Sequence, residues 1–198
     1  MLSITLCQSV LARALRLGGS FAELFFEDTR TFGLTLRSGV IENAAVSRPR
    51  GAGIRIYDGL RSIYVYTCDV SETGLMRAAD RAAAAVSDTK GTGRDIVLHA
   101  RTFTDIHPVS SPTLSVPASQ RADVLRAADS AARSVDSRIT QVTCGLLSRE
   151  QHVLIANSEG LYTGDTRTYT RLTCSAVASD GTENQTGMEG PGALMGFE

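Results

Sequence analysis

The chain has 198 residues, 42% of them hydrophobic, and 20 basic against 21 acidic side chains give a formal net charge of −1. That size and apolar content allow one good core or two small ones. The charges are mixed along the sequence and the densest basic cluster is Arg48-Pro49-Arg50, so nothing tracks a phosphate backbone and nucleic acid is not expected as a partner.

Leu6, Val10, Ala14 and Leu17 recur at helical spacing, Ser3 can cap the start and Gly18-Gly19 can end it, which predicts an amphipathic first helix. The segment does not read as a secretion signal, since Arg13 and Arg16 interrupt its apolar run and no basic stretch precedes it. No stretch approaches the roughly 20 apolar residues that cross a bilayer, so no membrane association is expected. Short strands follow at Phe21–Asp28, Phe32–Arg37 and Val40–Val46, with Ser38-Gly39 between the last two. Alternation at Ile54, Ile56, Ile63 and Val65 then predicts an antiparallel hairpin. Its turn is placed at Asp58-Gly59, a pair suited to the positive φ angles of a type I′ turn.

Ser71 opens an Ala-rich helix that ends in the breaker-rich Ser87–Gly93, and Asp95 to Pro117 reads as connecting loop around the apolar Ile96-Val97-Leu98. A second long helix covers Ala118 to Val135, with Leu125, Ala128, Ala132 and Val135 on one face. Strands return at Ile139–Leu147, Val153–Asn157 and Arg167–Ala178, and the end is Gly-rich without periodicity. This order predicts an α+β fold of antiparallel meander sheets with helices packed on one face. Turn glycines at Gly39 and Gly59 recur at a similar interval in Gly160 and Gly181. The halves read either as a duplicated helix-plus-meander unit or as the interval that any antiparallel meander produces. Residues 1–117 are read as an N-terminal α+β domain and residues 118–198 as a second helix-plus-strands segment.

Chemical motifs are sparse. His99, His107 and His152 are not spaced as ligands, and neither HExxH nor HExxxH occurs. Cys7, Cys68, Cys144 and Cys174 form no CxxC pair and read as reduced core residues of a cytoplasmic protein. There is no GxSxG elbow. Gly51-Ala52-Gly53 and Gly91-Thr92-Gly93 lack the third glycine of a dinucleotide fingerprint and read as turns or close backbone approach. Glu23, Glu27 and Asp28 read as a solvated face. The residues alone assign no catalytic, cofactor-binding or metal-binding position.

Four blocks in order carry a family resemblance: GGSFAELFFEDTRTFGLTLRSGVIENA (Gly18–Ala44), RGAGIRIYDG…VYTCDVSETGLMRAAD (Arg50–Asp80), HVLIANSEGLYTGDTRTYTRLTCSAVASDG (His152–Gly181) and QTGMEGPGALMGFE (Gln185–Glu198). Together they resemble the N-terminal portion of the TldD/PmbA family, with the FEDTR and EGPG pieces leaning toward the TldD type. The resemblance implies a cytoplasmic zinc metallopeptidase acting on peptides or unfolded polypeptides. It also implies a homo- or heterodimer of related subunits around an enclosed chamber, and an HExxxH helix that would follow Glu198. The expectation is therefore a chain that supplies chamber wall and dimer interface but not the zinc site, zinc belonging to the full-length protein. The alternative is a non-catalytic binding or assembly module that pairs with a complete TldD/PmbA-type subunit. The first reading further expects strand Arg167–Ala178 to lack a partner on one side and residues Gly187–Gly196 to pack poorly.

Overall fold

The computed structural model describes residues 1–86 and 95–198. The predicted breaker segment Ser87–Gly93, with its Gly91-Thr92-Gly93 pattern, lies outside the described residues. The fold is α+β, with helices packed on an open sheet whose strands follow the order α1 (Ile4–Ala14), β1 (Phe21–Arg37), β2 (Val40–Ser47), β3 (Arg50–Asp58), β4 (Arg61–Thr67), α2 (Glu72–Ala84), β5 (His99–Arg101), α3 (Ala118–Ser134), β6 (Ile139–Asn157), β7 (Leu161–Ser179), β8 (Asn184–Glu189) and β9 (Gly192–Ala193).

These elements form two compact units that interleave along the chain. The first comprises Met1–Asp28, Pro49–Thr104 and His152–Thr166; the second comprises Thr29–Arg48, Asp105–Gln151 and Arg167–Glu198. In the first unit the hydrogen-bonded order is β4-β3-β1-β6-β7-β5. Ala22, Leu24 and Phe26 of β1 and Ala52, Ile54 and Ile56 of β3 alternate onto one face. There they meet Val10, Leu11 and Ala14 of α1 and Leu75, Ala79 and Ala82 of α2. Each fully buried Leu or Ile contributes roughly 2 kcal/mol of transfer free energy. Arg13 of α1 donates from Nε and Nη2 to both carboxylate oxygens of Asp80 on α2, at 2.6 and 3.0 Å, which ties the two helices together at the surface. That hydrogen-bonded pairing holds the Asp80 carboxyl below its ordinary value.

The second unit packs α3 over Phe32, Leu34 and Leu36 of β1 and Val142, Cys144 and Leu146 of β6. As predicted, α3 turns Leu125, Ala128 and Ala132 toward this core, but the face departs from the prediction at its end and in two charged residues. Val135 is 79% exposed, while Arg121 and Asp129 are buried beside Ala122 and Leu125. Two charged residues are tolerated there because Arg121 stacks its guanidinium 3.8 Å from the Phe32 ring centre and Asp129 accepts from Arg133 Nε at 3.1 Å.

Three further differences from the sequence reading have physical causes. First, the predicted strand pairs 21–28 and 32–37, and 139–147 and 153–157, are single long strands, β1 and β6. The polar interruptions are strand-compatible: Thr29 is buried, and Ser148 lies 3.4 Å from Thr170 through their hydroxyls. Because β1 is continuous, β3 pairs with its Phe21–Asp28 half and β2 with its Thr31–Arg37 half. The chain passes from β2 to β3 at Arg48-Pro49, where proline has no N–H to give to a ladder. Second, β5 pairs with β7 in parallel, so the sheet is not antiparallel throughout. Third, the Gly-rich end does not leave β7 bare: β8 and β9 pair antiparallel with Thr170–Ser179. Backbone hydrogen bonding drives that return without apolar periodicity, and every residue of β8 stays exposed. Asp180 caps the turn by accepting from the N–H groups of Thr182 and Glu183, both at 2.8 Å.

The two tight turns differ in type, and the second departs from the expected type I′. Ser38 and Gly39, between the paired Arg37 and Val40, have φ of 48° and 80°, the two positive angles of a type I′ turn. The β3–β4 turn lies one residue later than predicted: Asp58 pairs with Arg61, and the central residues are Gly59 and Leu60. Only Gly59 has positive φ, at 60°, as a type II′ turn requires. Gly33 on β1 provides a matched control, since a Cβ at either glycine would meet nothing within 4 Å and Gly33 has no positive φ. Gly59→Val should therefore cost about 1–3 kcal/mol in urea unfolding through backbone strain alone, whereas Gly33→Val should be neutral or stabilising. Equal effects at the two sites would contradict this turn geometry.

Candidate functional site

The outer face of the first unit carries a feature built from small residues and rings. On β3 and β4 the residues alternate with those that enter the core, so Gly51, Gly53 and Arg55 share the outer face with Tyr64 and Tyr66. The register places Gly53 opposite Tyr66 and Arg55 opposite Tyr64. Both rings lie down over the glycines. A Cβ on Gly51 would fall 2.7 Å from the Tyr66 ring, and one on Gly53 would fall 2.7 Å from the Tyr64 ring and onto its hydroxyl. Here the Gly51-Ala52-Gly53 pattern is neither a turn nor a nucleotide loop. It is a place where side chains approach the backbone closely.

The result is a cleft of about 140 Å³ lined by Phe25 and Glu27 of β1, by Pro49 to Gly53, and by the two tyrosines. The rings remain 55% and 56% exposed, so they can still cover a ligand. The Arg55 guanidinium sits 5.5 Å from the Tyr64 ring centre, which braces that ring from the side. Tyr66 shares a hydrogen bond with the exposed Cys68 thiol at 3.1 Å. That bond, with the electrostatic effect of Cys68 and desolvation adding to it, raises the Tyr66 hydroxyl above its ordinary 10. Beside the cleft, β4 ends the hydrogen-bonded order of its unit, so its outer edge pairs with no further strand among the described residues.

The other sequence-level candidates are dispersed. His99 lies exposed on β5, in the first unit; His107 lies in the second, its N–H donating to Asp105 Oδ1 at 2.9 Å. His152 Nδ1 is 3.1 Å from Thr166 Oγ1. Asp28 is not a solvated carboxylate: its side chain is 14% exposed and faces Arg50 Nε at 3.7 Å. Cys7 and Cys144 are buried, and burial pushes the Cys7 thiol up to about 11. Among the described residues no group of three His, Cys, Asp or Glu comes together as a metal site, and no helix is long and apolar enough to cross a membrane. The glycine–tyrosine cleft escaped sequence reasoning, although its signal was present as G-x-G on one strand and Y-x-Y on the next.

Comparison with known proteins places this architecture. Residues 22–86 match the model of the PmbA/TldA metallopeptidase domain 1, and residues 111–198 match that of the PmbA/TldA metallopeptidase central domain. The chain is 23% identical over 183 residues to a metalloprotease TldD homolog from Haemophilus influenzae, covering 90% of this chain and 37% of the relative. A metalloprotease TldD homolog from Buchnera aphidicola of Acyrthosiphon pisum is 24% identical over 177 residues, covering 89% and 36%. The chain thus spans little more than a third of the length of these relatives. In fold it is similar to a candidate modulator of DNA gyrase from Bacteroides thetaiotaomicron, with a TM-score of 0.78 at 14% identity, covering 98% of this chain and 46% of that one. It is also similar to TldE from Thermococcus kodakarensis, with a TM-score of 0.68 at 14% identity, covering 96% and 43%. With both domain models matched in order along one α+β sheet fold, the chain belongs to the TldD/PmbA metallopeptidase family and carries its domain 1 and central domain.

Proposed function

We infer that this chain is the substrate-holding portion of a TldD-type zinc metallopeptidase subunit, forming chamber wall and dimer interface in the cytoplasm. The metalloprotease names of its relatives imply a metal. The donors among the described residues do not fit one, because a catalytic zinc takes about three protein ligands and no such group assembles here. On this reading the zinc is held by residues outside the chain, and no catalytic step runs through the residues described.

The observation that carries the reading is the open edge of β4 beside the glycine–tyrosine cleft. An extended peptide can add to such an edge through backbone hydrogen bonds that do not depend on sequence. Its alternate side chains would lie beside Tyr64 and Tyr66, whose rings offer apolar contact to many residue types. Small peptides and unfolded polypeptides meet both conditions, and folded proteins do not.

Titrating the chain with an uncharged extended peptide while recording amide NMR spectra should shift the amides of Arg61–Thr67 first, and Tyr64→Ala with Tyr66→Ala should weaken binding about tenfold. Shifts that avoid β4 would overturn the reading. Binding of the chain to a complete TldD/PmbA-type subunit, with no peptide binding, would favour a non-catalytic assembly module.

A further inference from the structure

Two thiols of the second unit face one another across neighbouring strands. Cys144 on β6 is fully buried, Cys174 on β7 is half-buried, and their Sγ atoms are 3.4 Å apart. Both belong to the core beneath α3, Cys144 with Val142 and Leu146, Cys174 with Leu172 and Ala176. A disulfide needs the sulfurs at about 2.05 Å, roughly 1.4 Å closer than they stand. Adjacent strands already hold the two backbones side by side, so side-chain torsions have little left to close.

The surroundings divide the two sulfurs by role. Burial, with the neighbouring Cys174 adding to it, pushes the Cys144 thiol up to about 12. Cys144 is therefore protonated at neutral pH and shielded, while Cys174 is the sulfur that solvent-borne reagents meet. The charged groups whose field reaches Cys144 are Asp129 and Arg133 of α3. They pair at 3.1 Å, and Asp129 Oδ1 and Arg133 Nη2 are buried without a protein hydrogen-bond partner. That leaves one acceptor and one donor free to follow a proton or a new charge on sulfur. The remaining cysteines have no such arrangement: Cys7 is buried in the other unit, and Cys68 is exposed beside Tyr66.

We propose that Cys144 and Cys174 form a redox-modification site, a dithiol that a hydroperoxide converts into an intramolecular disulfide joining β6 to β7. In the first step Cys174 sulfur attacks the peroxide O–O bond and becomes a sulfenic acid, the departing oxygen leaving as water or alcohol with the thiol proton. In the second, Cys144 sulfur displaces the hydroxyl from Cys174, the S–S bond forms, and the Cys144 proton leaves with that hydroxyl as water. The peroxide accepts two electrons and the two thiols supply them.

The test uses the full chain carrying Cys68→Ser, so that surface thiols cannot link two molecules. Hydrogen peroxide is added, remaining thiols are alkylated, and unreduced peptides are mapped by mass spectrometry. The expected result is one linked peptide pair, Cys144 with Cys174, formed about tenfold faster in the folded chain than in urea. The unfolding midpoint of the oxidised chain should be higher than that of the reduced chain. Equal rates in folded and unfolded chains would overturn the proposal. So would Cys174 proceeding to sulfinic acid while Cys144 stays free to alkylate after unfolding. In Cys144→Ala, Cys174 should stop at a sulfenic acid that dimedone traps; if that variant does not fold, the linkage rates of the unaltered pair decide alone.

Discussion

Leu24→Ala and Leu36→Ala should each destabilise the chain by about 2–5 kcal/mol, the range for emptying a fully buried leucine site. Both leucines lie on β1 and both are completely buried, yet they serve different cores: Leu24 packs in the cluster with α1 and α2, and Leu36 in the cluster with α3. The informative readout is where protection is lost. By amide hydrogen exchange, Leu24→Ala should accelerate exchange first in α1, α2 and β3, and Leu36→Ala first in α3 and β2. A loss below about 1 kcal/mol for either would show that its site relaxes to fill the space. Uniform acceleration everywhere would show that the two cores melt as one.

Gly74→Ala should be the sharper result because its sign is unusual. In an exposed helix interior this change gains about 1 kcal/mol. Here Gly74 is buried in the first turn of α2, behind a folded-back cap. Its N–H donates to Ser71 Oγ at 3.1 Å, Ser71 Oγ donates to Asp69 Oδ1 at 2.6 Å, and Asp69 Oδ2 accepts from Arg77 Nη2 at 2.8 Å. A methyl group on Gly74 would fall 2.6 Å from Asp69 Oδ1 and onto the Asp69 carbonyl oxygen. The carbonyl is backbone and cannot swing away. The substitution must therefore break the cap or move the helix start, at a cost of about 2–3 kcal/mol. Urea unfolding measures it, and a neutral or stabilising Gly74→Ala would refute the packing.

Much of the fold was legible because local chemistry agreed with the outcome. Ser3 caps α1 by accepting from the Leu6 N–H, and Ser71 caps α2 by accepting from the Gly74 N–H. The alternation of Ile54 and Ile56 correctly marked the buried face of β3. What failed depended on partners distant in sequence. Nothing local tells that Thr29-Arg30-Thr31 continues a strand when its support comes from segments far along the chain. Arg121 and Asp129 were not assigned to the buried face of α3 because their stacking and ion-pair partners do not appear in a helical period. The β8 pairing was missed because a strand exposed on both faces has no hydrophobic alternation to detect. The cleft failed for a related reason. G-x-G looks like flexibility in one dimension, and only the register against Tyr64 and Tyr66 turns it into room for rings.

The order of the strands also has a consequence for how the chain is made. β1 ends at Arg37, but its neighbour β6 does not begin until Ile139. At synthesis rates of about 5–20 residues per second, that wait lasts on the order of 5–20 s. During it, one whole edge of β1 has no partner, and Phe32, Leu34 and Leu36 have no α3 to cover them. By contrast β8 follows β7 after the short turn Asp180–Glu183, and β4 follows β3 after two residues. The β3–β4 and β7–β8 hairpins can close almost as soon as they emerge, while the centre of the sheet closes late. On the ribosome this chain should present an adhesive middle strand, making it a client for holding chaperones and a slow folder among proteins of its size.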